Sequence, residues 1–321
     1  AKRIAELRLR GCTAAEAEAL APALGALDER LLAHGRAVEI RTFHGWFSQL
    51  LRAAPLGALE GLGLSPEPDL LEERDDLRAD YTPRFLAAVA DDPAARDDHA
   101  ALVREHSRHR VEQWIESALD QRSEVERAAA AGTLAGSVPP AAALWPEFDG
   151  LATPAAALRE PGLAALLAQL ARDFAASGKA KQLTAAEGIA AGLHMGDDRE
   201  AFEAIWSALH TAQDTPRKQL GDRPEQALAC ERLARIRDAI DQHDAHLTHT
   251  RLVSLVSHLF AAYAAAKRAR GLADMIDLEA CAERLLANAA CSGWIQQRLD
   301  ARVRHLLVDE FQDTSPLQWR T

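Results

Sequence analysis

The chain has 321 residues, 48% of them hydrophobic but only 5% aromatic, so Ala and Leu must carry most of the burial and a mainly helical fold with a real core is expected. The net charge of −11 excludes a generally basic nucleic-acid binder and leaves any DNA contact to local patches. Cys12, Cys230, Cys281 and Cys291 lack metal-ligand spacing and read as reduced thiols of a cytoplasmic protein; no apolar run reaches membrane-spanning length and no signal peptide is evident.

Residues 2–32 read as helix, restarted by the capping box Thr13-Ala14-Ala15-Glu16. Val38-Glu39-Ile40-Arg41-Thr42 alternates like a short strand. It leads into Phe43, Trp46, Phe47, Leu50 and Leu51, which share one helical face. Thr42-Phe43-His44 is therefore placed at a strand-to-helix turn, where free backbone N–H groups can meet phosphates. The same residues also describe a buried aromatic face with a histidine satisfied locally.

From Pro55 to about Gly293 the pattern is helical almost throughout. Asp69-Leu70-Leu71-Glu72 and Thr184-Ala185-Ala186-Glu187 look like capping boxes. Thr82-Pro83, Thr153-Pro154 and Pro161 mark helix starts, and Ser177-Gly178 an end. One helix is predicted over about 94–130, followed by a loop over Gly132–Gly150. Further apolar faces are Phe202/Ile205/Trp206/Leu209, Leu233/Ile236/Ile240 and Leu252/Leu255/Val256/Leu259/Tyr263. Asp274 reads as a helix cap. Two basic clusters, Arg104–Arg110 (with Arg108 and Arg110) and Lys267–Arg270, are either solvated faces or phosphate contacts.

Near the end, Leu306-Leu307-Val308 runs into Asp309-Glu310-Phe311-Gln312-Asp313-Thr314. An apolar run ending in two acids suits a buried parallel strand that delivers carboxylates to the carboxyl edge of a sheet. Such a pair fits a Mg²⁺-nucleotide site, one acid holding the hydrated metal and the other orienting a water. No phosphate-cradling Gly-x-x-x-x-Gly-Lys-Ser/Thr is found: the Gly178-Lys179 pair has Asp173 five residues earlier and Ala180 after it.

The stretch Asp309–Thr314 resembles the Walker B motif of UvrD/RecB-type superfamily one DNA helicases. Thr42-Phe43-His44 followed by Gly45 resembles their single-strand-contacting motif. Asp274-Met275-Ile276-Asp277-Leu278 resembles the segment that precedes the acidic motif, and the opening helix loosely resembles the one after their first DNA-contact motif. Trp46 and Ser48–Arg52 lean towards the RecB/AddA helicase-nuclease branch.

The resemblance implies a mainly α fold: a large all-helical insertion, residues 55–294, on a partial RecA-like α/β (P-loop NTPase) core of a few parallel strands, residues 1–54 and 295–321. It implies an ATP-dependent helicase acting in double-strand break repair and recombination, and on the RecB/AddA reading a helicase-exonuclease. Asp309 would bind Mg²⁺, Glu310 would activate the attacking water, and Gln312 would sense the nucleotide. Asp313 and Thr314 would couple the two sites, and Thr42 and His44 would contact the single strand, where a nearby aromatic such as Trp46 would suit; Arg108 and Arg110, from the basic cluster, are separate candidates for DNA contact. The partners implied are single-stranded and duplex DNA and a second helicase-nuclease subunit; no membrane is involved. The chain reads as a piece of a longer protein, which would use ATP and Mg²⁺, whereas the piece alone, lacking the phosphate loop, would hold neither tightly and be inactive. Two other readings stay open: a non-catalytic helical DNA- or protein-binding module, and a metal-dependent hydrolase acting directly through Asp309 and Glu310.

Overall fold

The computed structural model describes residues 2–33, 40–52, 54, 68–287, 293, 297 and 308. Within them the chain forms two compact units, one of residues 1–71 and 271–321, the other of residues 72–270. Each has its own helices.

The first unit opens with α1 (Lys2–Leu9), α2 (Ala14–Gly25) and α3 (Leu27–Ala33). The predicted capping box is present: Glu16 N–H donates to Thr13 Oγ1 (3.4 Å) and Thr13 N–H to Glu16 Oε2 (2.9 Å). Then α4 (Phe43–Arg52) buries Phe47, Leu50 and Leu51, the face foreseen from the spacing. Ile40, Arg41 and Thr42 adopt no strand structure, contrary to the alternating pattern, and Ile40 is 90% exposed. Val38 and Glu39 lie outside the described residues, as does Leu306–Asp309 apart from Val308, which takes no regular structure and is 37% exposed.

Asp69–Leu70 forms β1 rather than starting a helix. Its parallel partner β2, Leu272–Ala273, comes from the far end of the long helical excursion. A two-residue strand has no stability alone, and the bonds Asp69 N–H to Gly271 O (3.0 Å) and Leu71 N–H to Ala273 O (2.9 Å) outcompete the local cap.

In the second unit, a short 3₁₀ turn leads into α5 (Arg78–Asp91). The helix starts one turn before the expected Thr82-Pro83 cap and carries Pro83 inside it. Proline removes one backbone donor there; burial of Tyr81, Phe85 and Val89 on one face offsets the loss. The predicted single helix over 94–130 is three: α6 (Pro93–His106), α7 (Arg108–Asp120) and α8 (Arg122–Ala130). The first break is at Ser107, whose φ of 72° is incompatible with a continuing helix. The predicted loop holds a short α-helix, α9 (Ala141–Leu144), and a 3₁₀ turn over Pro146–Phe148.

Next come α10 (Pro161–Ala176), α11 (Ala180–His194) and α12 (Asp198–Leu209). Thr184 is inside α11, where its hydroxyl donates to Ala180 O (3.2 Å) instead of capping. The unit ends with α13 (Pro224–Arg270), 47 residues long and so about 70 Å at 1.5 Å per residue. Leu163, Leu167, Phe174, Ile189, Phe202, Ile205, Leu233 and Ile236 form one core around its first half. Leu255, Leu259 and Tyr263 are buried on its second half, which packs on α5, α6 and α7. The polar run Asp241–Thr250 between them contains no buried residue.

Helices α11 and α12 cross closely because Gly188 and Gly192 share one face. A Cβ on Gly192 would lie 2.5 Å from Ile205 Cγ1 and 2.9 Å from Ala201 O. In a free helix Gly→Ala would stabilise by about 1 kcal/mol. Here Gly192→Ala is expected to destabilise by about 1–3 kcal/mol, lowering the urea midpoint; a raised midpoint would contradict the close crossing.

The chain then returns to the first unit through β2 and α14 (Met275–Ala287), where α4 packs on α14. Their shared core is Phe47, Leu50, Leu51, Ala273, Leu278, Cys281, Ala282 and Leu285.

Candidate nucleic-acid interface

Two helix starts meet at the surface of this small core. At the first, Thr42 is the cap of α4: Gly45 N–H donates to Thr42 Oγ1 (3.1 Å) and Trp46 N–H to Thr42 O (3.0 Å). Gly45 suits this tight turn, since a Cβ there would sit 3.2 Å from Thr42 Oγ1. The threonine hydroxyl is thus committed to the turn. Thr42→Ala is expected to cost about 1 kcal/mol of cap energy, read as a lower unfolding midpoint of the chain; no loss at all would mean the cap is not formed in solution.

At the second start, Asp274 caps α14 as expected, in a reciprocal arrangement. Asp277 N–H donates to Asp274 Oδ1 (2.9 Å), and Asp274 N–H to Asp277 Oδ2 (3.1 Å). This is the capping-box geometry with aspartate at the third helical position. It fixes α14 so that Leu278, Cys281, Ala282 and Leu285 face α4.

The aromatic face divides its roles. Phe47 is fully buried, with the rings of Phe43 and Trp46 at 6.2 and 5.5 Å. Trp46 is half-buried against the core, and its packing accounts for its position. His44 is 33% exposed, its ring edge-on to Phe47 at 6.4 Å, and its Nε2 lies 3.0 Å from Oε1 of Glu279. Glu279, on α14, is a participant the sequence reading missed. Nothing in local spacing connects the two; complementary charge on two helix faces was the one available signal.

Arg108 and Arg110 belong to the 72–270 unit. They do not share an exposed helix with Arg104, because the chain breaks at Ser107. Arg108 Nε is 2.7 Å from Glu112 Oε1 on a well-exposed surface, and the Arg110 guanidinium lies 6.0 Å from the Trp114 ring centroid. In the second basic cluster, Lys267 is buried, with its ammonium 4.5 Å from the Tyr263 ring, and Arg270 pairs with Asp80 (2.8 Å). Two of that cluster's three cations, Lys267 and Arg270, therefore serve the helical unit itself.

Asp309, Glu310, Gln312, Asp313 and Thr314 lie outside the described residues. Among the described residues no group of three or more His, Cys, Asp or Glu is placed to hold a metal, and no helix is long and apolar enough to cross a membrane. A cleft of about 690 Å³ in the 72–270 unit is lined by Trp206, His210, Asp214, Arg217, Arg237 and Asp241 among others. Its Trp206 is already covered by His210, stacked at 3.7 Å, and by Arg237 at 4.8 Å. Burial holds the His210 imidazole below its ordinary pKa. No residue expected from the sequence to act on DNA or nucleotide lines this cleft.

Neither a curated protein nor a solved structure matches the chain. A family model does: that of the UvrD/REP helicase N-terminal domain, over residues 2–321. The match spans both units and includes the capped Thr-Phe-His turn and the acidic stretch. The chain belongs to the UvrD/REP helicase N-terminal domain family, whose helicases use ATP and Mg²⁺ and act on DNA.

Proposed function

We propose that this chain is the first motor domain, with its helical insertion, of an ATP-dependent DNA helicase of the RecB/AddA-like branch that acts in double-strand break repair. Residues 1–54 and 295–321 would form the RecA-like part and residues 55–294 the insertion. A phosphate-cradling loop outside these 321 residues would complete the nucleotide site, so that the chain alone neither binds ATP tightly nor hydrolyses it. A nuclease activity and a second helicase-nuclease subunit belong to the same reading.

The observation that carries the proposal is the turn at the start of α4. Thr42 caps the helix and so builds the turn, while His44 leaves it part-exposed. A helix N-terminus with a polar side chain at its mouth suits a phosphate backbone, and it does so without reading sequence. The acidic stretch supplies the other half. Asp309 and Glu310 are hard oxygen donors, the kind Mg²⁺ takes. Asp309 would hold the ion through water, and the ion would neutralise charge on the phosphates. Glu310 would orient the attacking water and take its proton, with Gln312 sensing the nucleotide and Asp313 and Thr314 transmitting its state to the DNA turn.

His44→Ala tests the DNA half most cleanly, because Thr42→Ala also removes a cap. Anisotropy with a labelled oligo-dT strand at matched salt should show binding several-fold weaker for the variant at an unchanged unfolding midpoint. Equal affinity would return His44 to a local structural role.

A further inference from the structure

We infer that Glu279 is a positioning residue for the single-strand contact: it holds the His44 imidazole in one orientation and one tautomer before DNA arrives. The inference rests on the proposed role of His44.

The geometry gives three reasons. First, Glu279 Oε1 lies 3.0 Å from His44 Nε2, within hydrogen-bond reach. An ionised carboxylate only accepts, so Nε2 must carry the hydrogen. The tautomer protonated on Nδ1 alone is thereby excluded, and Nδ1, the ring nitrogen left to the strand, is then an acceptor that can take a base N–H, while phosphate oxygens are left to the free N–H groups of the helix start. Second, the carboxylate is 12% exposed, where its attraction for an N–H is less screened than in open water. Third, the ring is edge-on to Phe47, whose side chain is fixed in the core shared by α4 and α14. A carboxylate on one side and a buried aromatic on the other hold the two side-chain torsions of His44. A ring already ordered loses less entropy when it meets DNA.

A carboxylate close to a DNA contact has an opposing effect, since it repels phosphate. The two effects differ in what they require. Positioning needs an acceptor at residue 279 and repulsion needs a charge, so Glu279→Gln and Glu279→Ala separate them.

The experiment is oligo-dT binding to the 321-residue chain, by anisotropy at matched salt, for His44→Ala, Glu279→Gln, Glu279→Ala and the double variant His44→Ala/Glu279→Ala. Ring ¹⁵N shifts of His44 are recorded alongside. Glu279→Ala is expected to weaken binding by about threefold to tenfold, Glu279→Gln to restore most of that loss, and the double variant to match His44→Ala alone. The ¹⁵N spectra should show the Nε2–H form in the parent and in Glu279→Gln, and mixed tautomers in Glu279→Ala. Tighter binding by Glu279→Ala, or additive losses in the double variant, would overturn the positioning role. If His44→Ala itself has no effect, the reading of the turn as a DNA contact fails instead, a distinct outcome.

Discussion

Replacing Glu310 by Gln in the protein that joins this chain to a phosphate loop is expected to reduce steady-state ATP turnover by at least about a hundredfold, the usual worth of a positioned base. Nucleotide affinity should stay nearly unchanged. The two observables separate because they draw on different groups. Affinity comes mostly from phosphate contacts and the metal, to which Glu310 contributes little on the proposed assignment. Turnover needs a base beside the attacking water. Gln keeps the size and the acceptor oxygen of Glu but cannot take a proton. A variant with normal turnover would remove Glu310 from the catalytic role, and one that no longer binds nucleotide would move it to the metal.

The largest stability effect is expected at Phe47. Phe47→Ala should destabilise the unit built on α4 and α14 by about 3–5 kcal/mol, the range for emptying a buried aromatic site. The ring is fully buried among Leu50, Leu51, Leu278, Cys281 and Leu285, a small core with little else to fall back on. A folded domain typically has about 5–15 kcal/mol in total, so the loss should release α4. The Thr42–His44 turn would go with it, and single-strand binding should fall together with the urea midpoint. A loss under about 1 kcal/mol would mean that this core closes over the cavity far better than buried aromatic sites usually do.

Signals confined to one turn of helix were legible in the sequence. Thr13 with Glu16, Asp274 as a cap, Pro161 as a first helical residue and the α4 face all depend on residues within a few positions of each other. Features that depend on distant partners were not. The β1–β2 pair exists only because Leu272–Ala273 comes back beside Asp69–Leu70. The break at Ser107 has no Gly or Pro to announce it. The polar stretch Asp241–Thr250 would end many helices, yet α13 runs through it, strapped to the loop before α9 by hydrogen bonds from Gln242 to Pro139 O (2.6 Å), His246 to Val138 O (2.7 Å) and His249 to Leu134 O (2.8 Å). The Gly188/Gly192 crossing was missed because glycine reads as a helix weakness until its neighbour is known.

The candidate site divides in the same way. The Thr-Phe-His turn was legible as a helix start, but the commitment of the Thr42 hydroxyl to the cap and the reach of Glu279 to His44 are facts of packing. Cations in each basic cluster turned out to have partners for reasons no charge count could reveal. Glu112 sits one turn from Arg108, and Tyr263 one turn from Lys267.

The motor-domain reading makes one demand on the backbone that does not depend on any motif. In a RecA-like sheet the strand carrying the acidic pair lies beside the strand that enters the single-strand turn, and the helical insertion is the expanded crossover between these parallel neighbours. The most direct measurement is an experimental structure of the chain joined to its phosphate-loop segment, read at residues 38–42 and 305–309. Ile40, Arg41, Thr42 and Val308 take no strand structure in the chain by itself; the account predicts that with the phosphate-loop segment joined the two segments pair side by side as parallel strands, with Asp309 and Glu310 at the carboxyl edge. Finding them far apart, or finding Leu306–Asp309 in a helix, would contradict it.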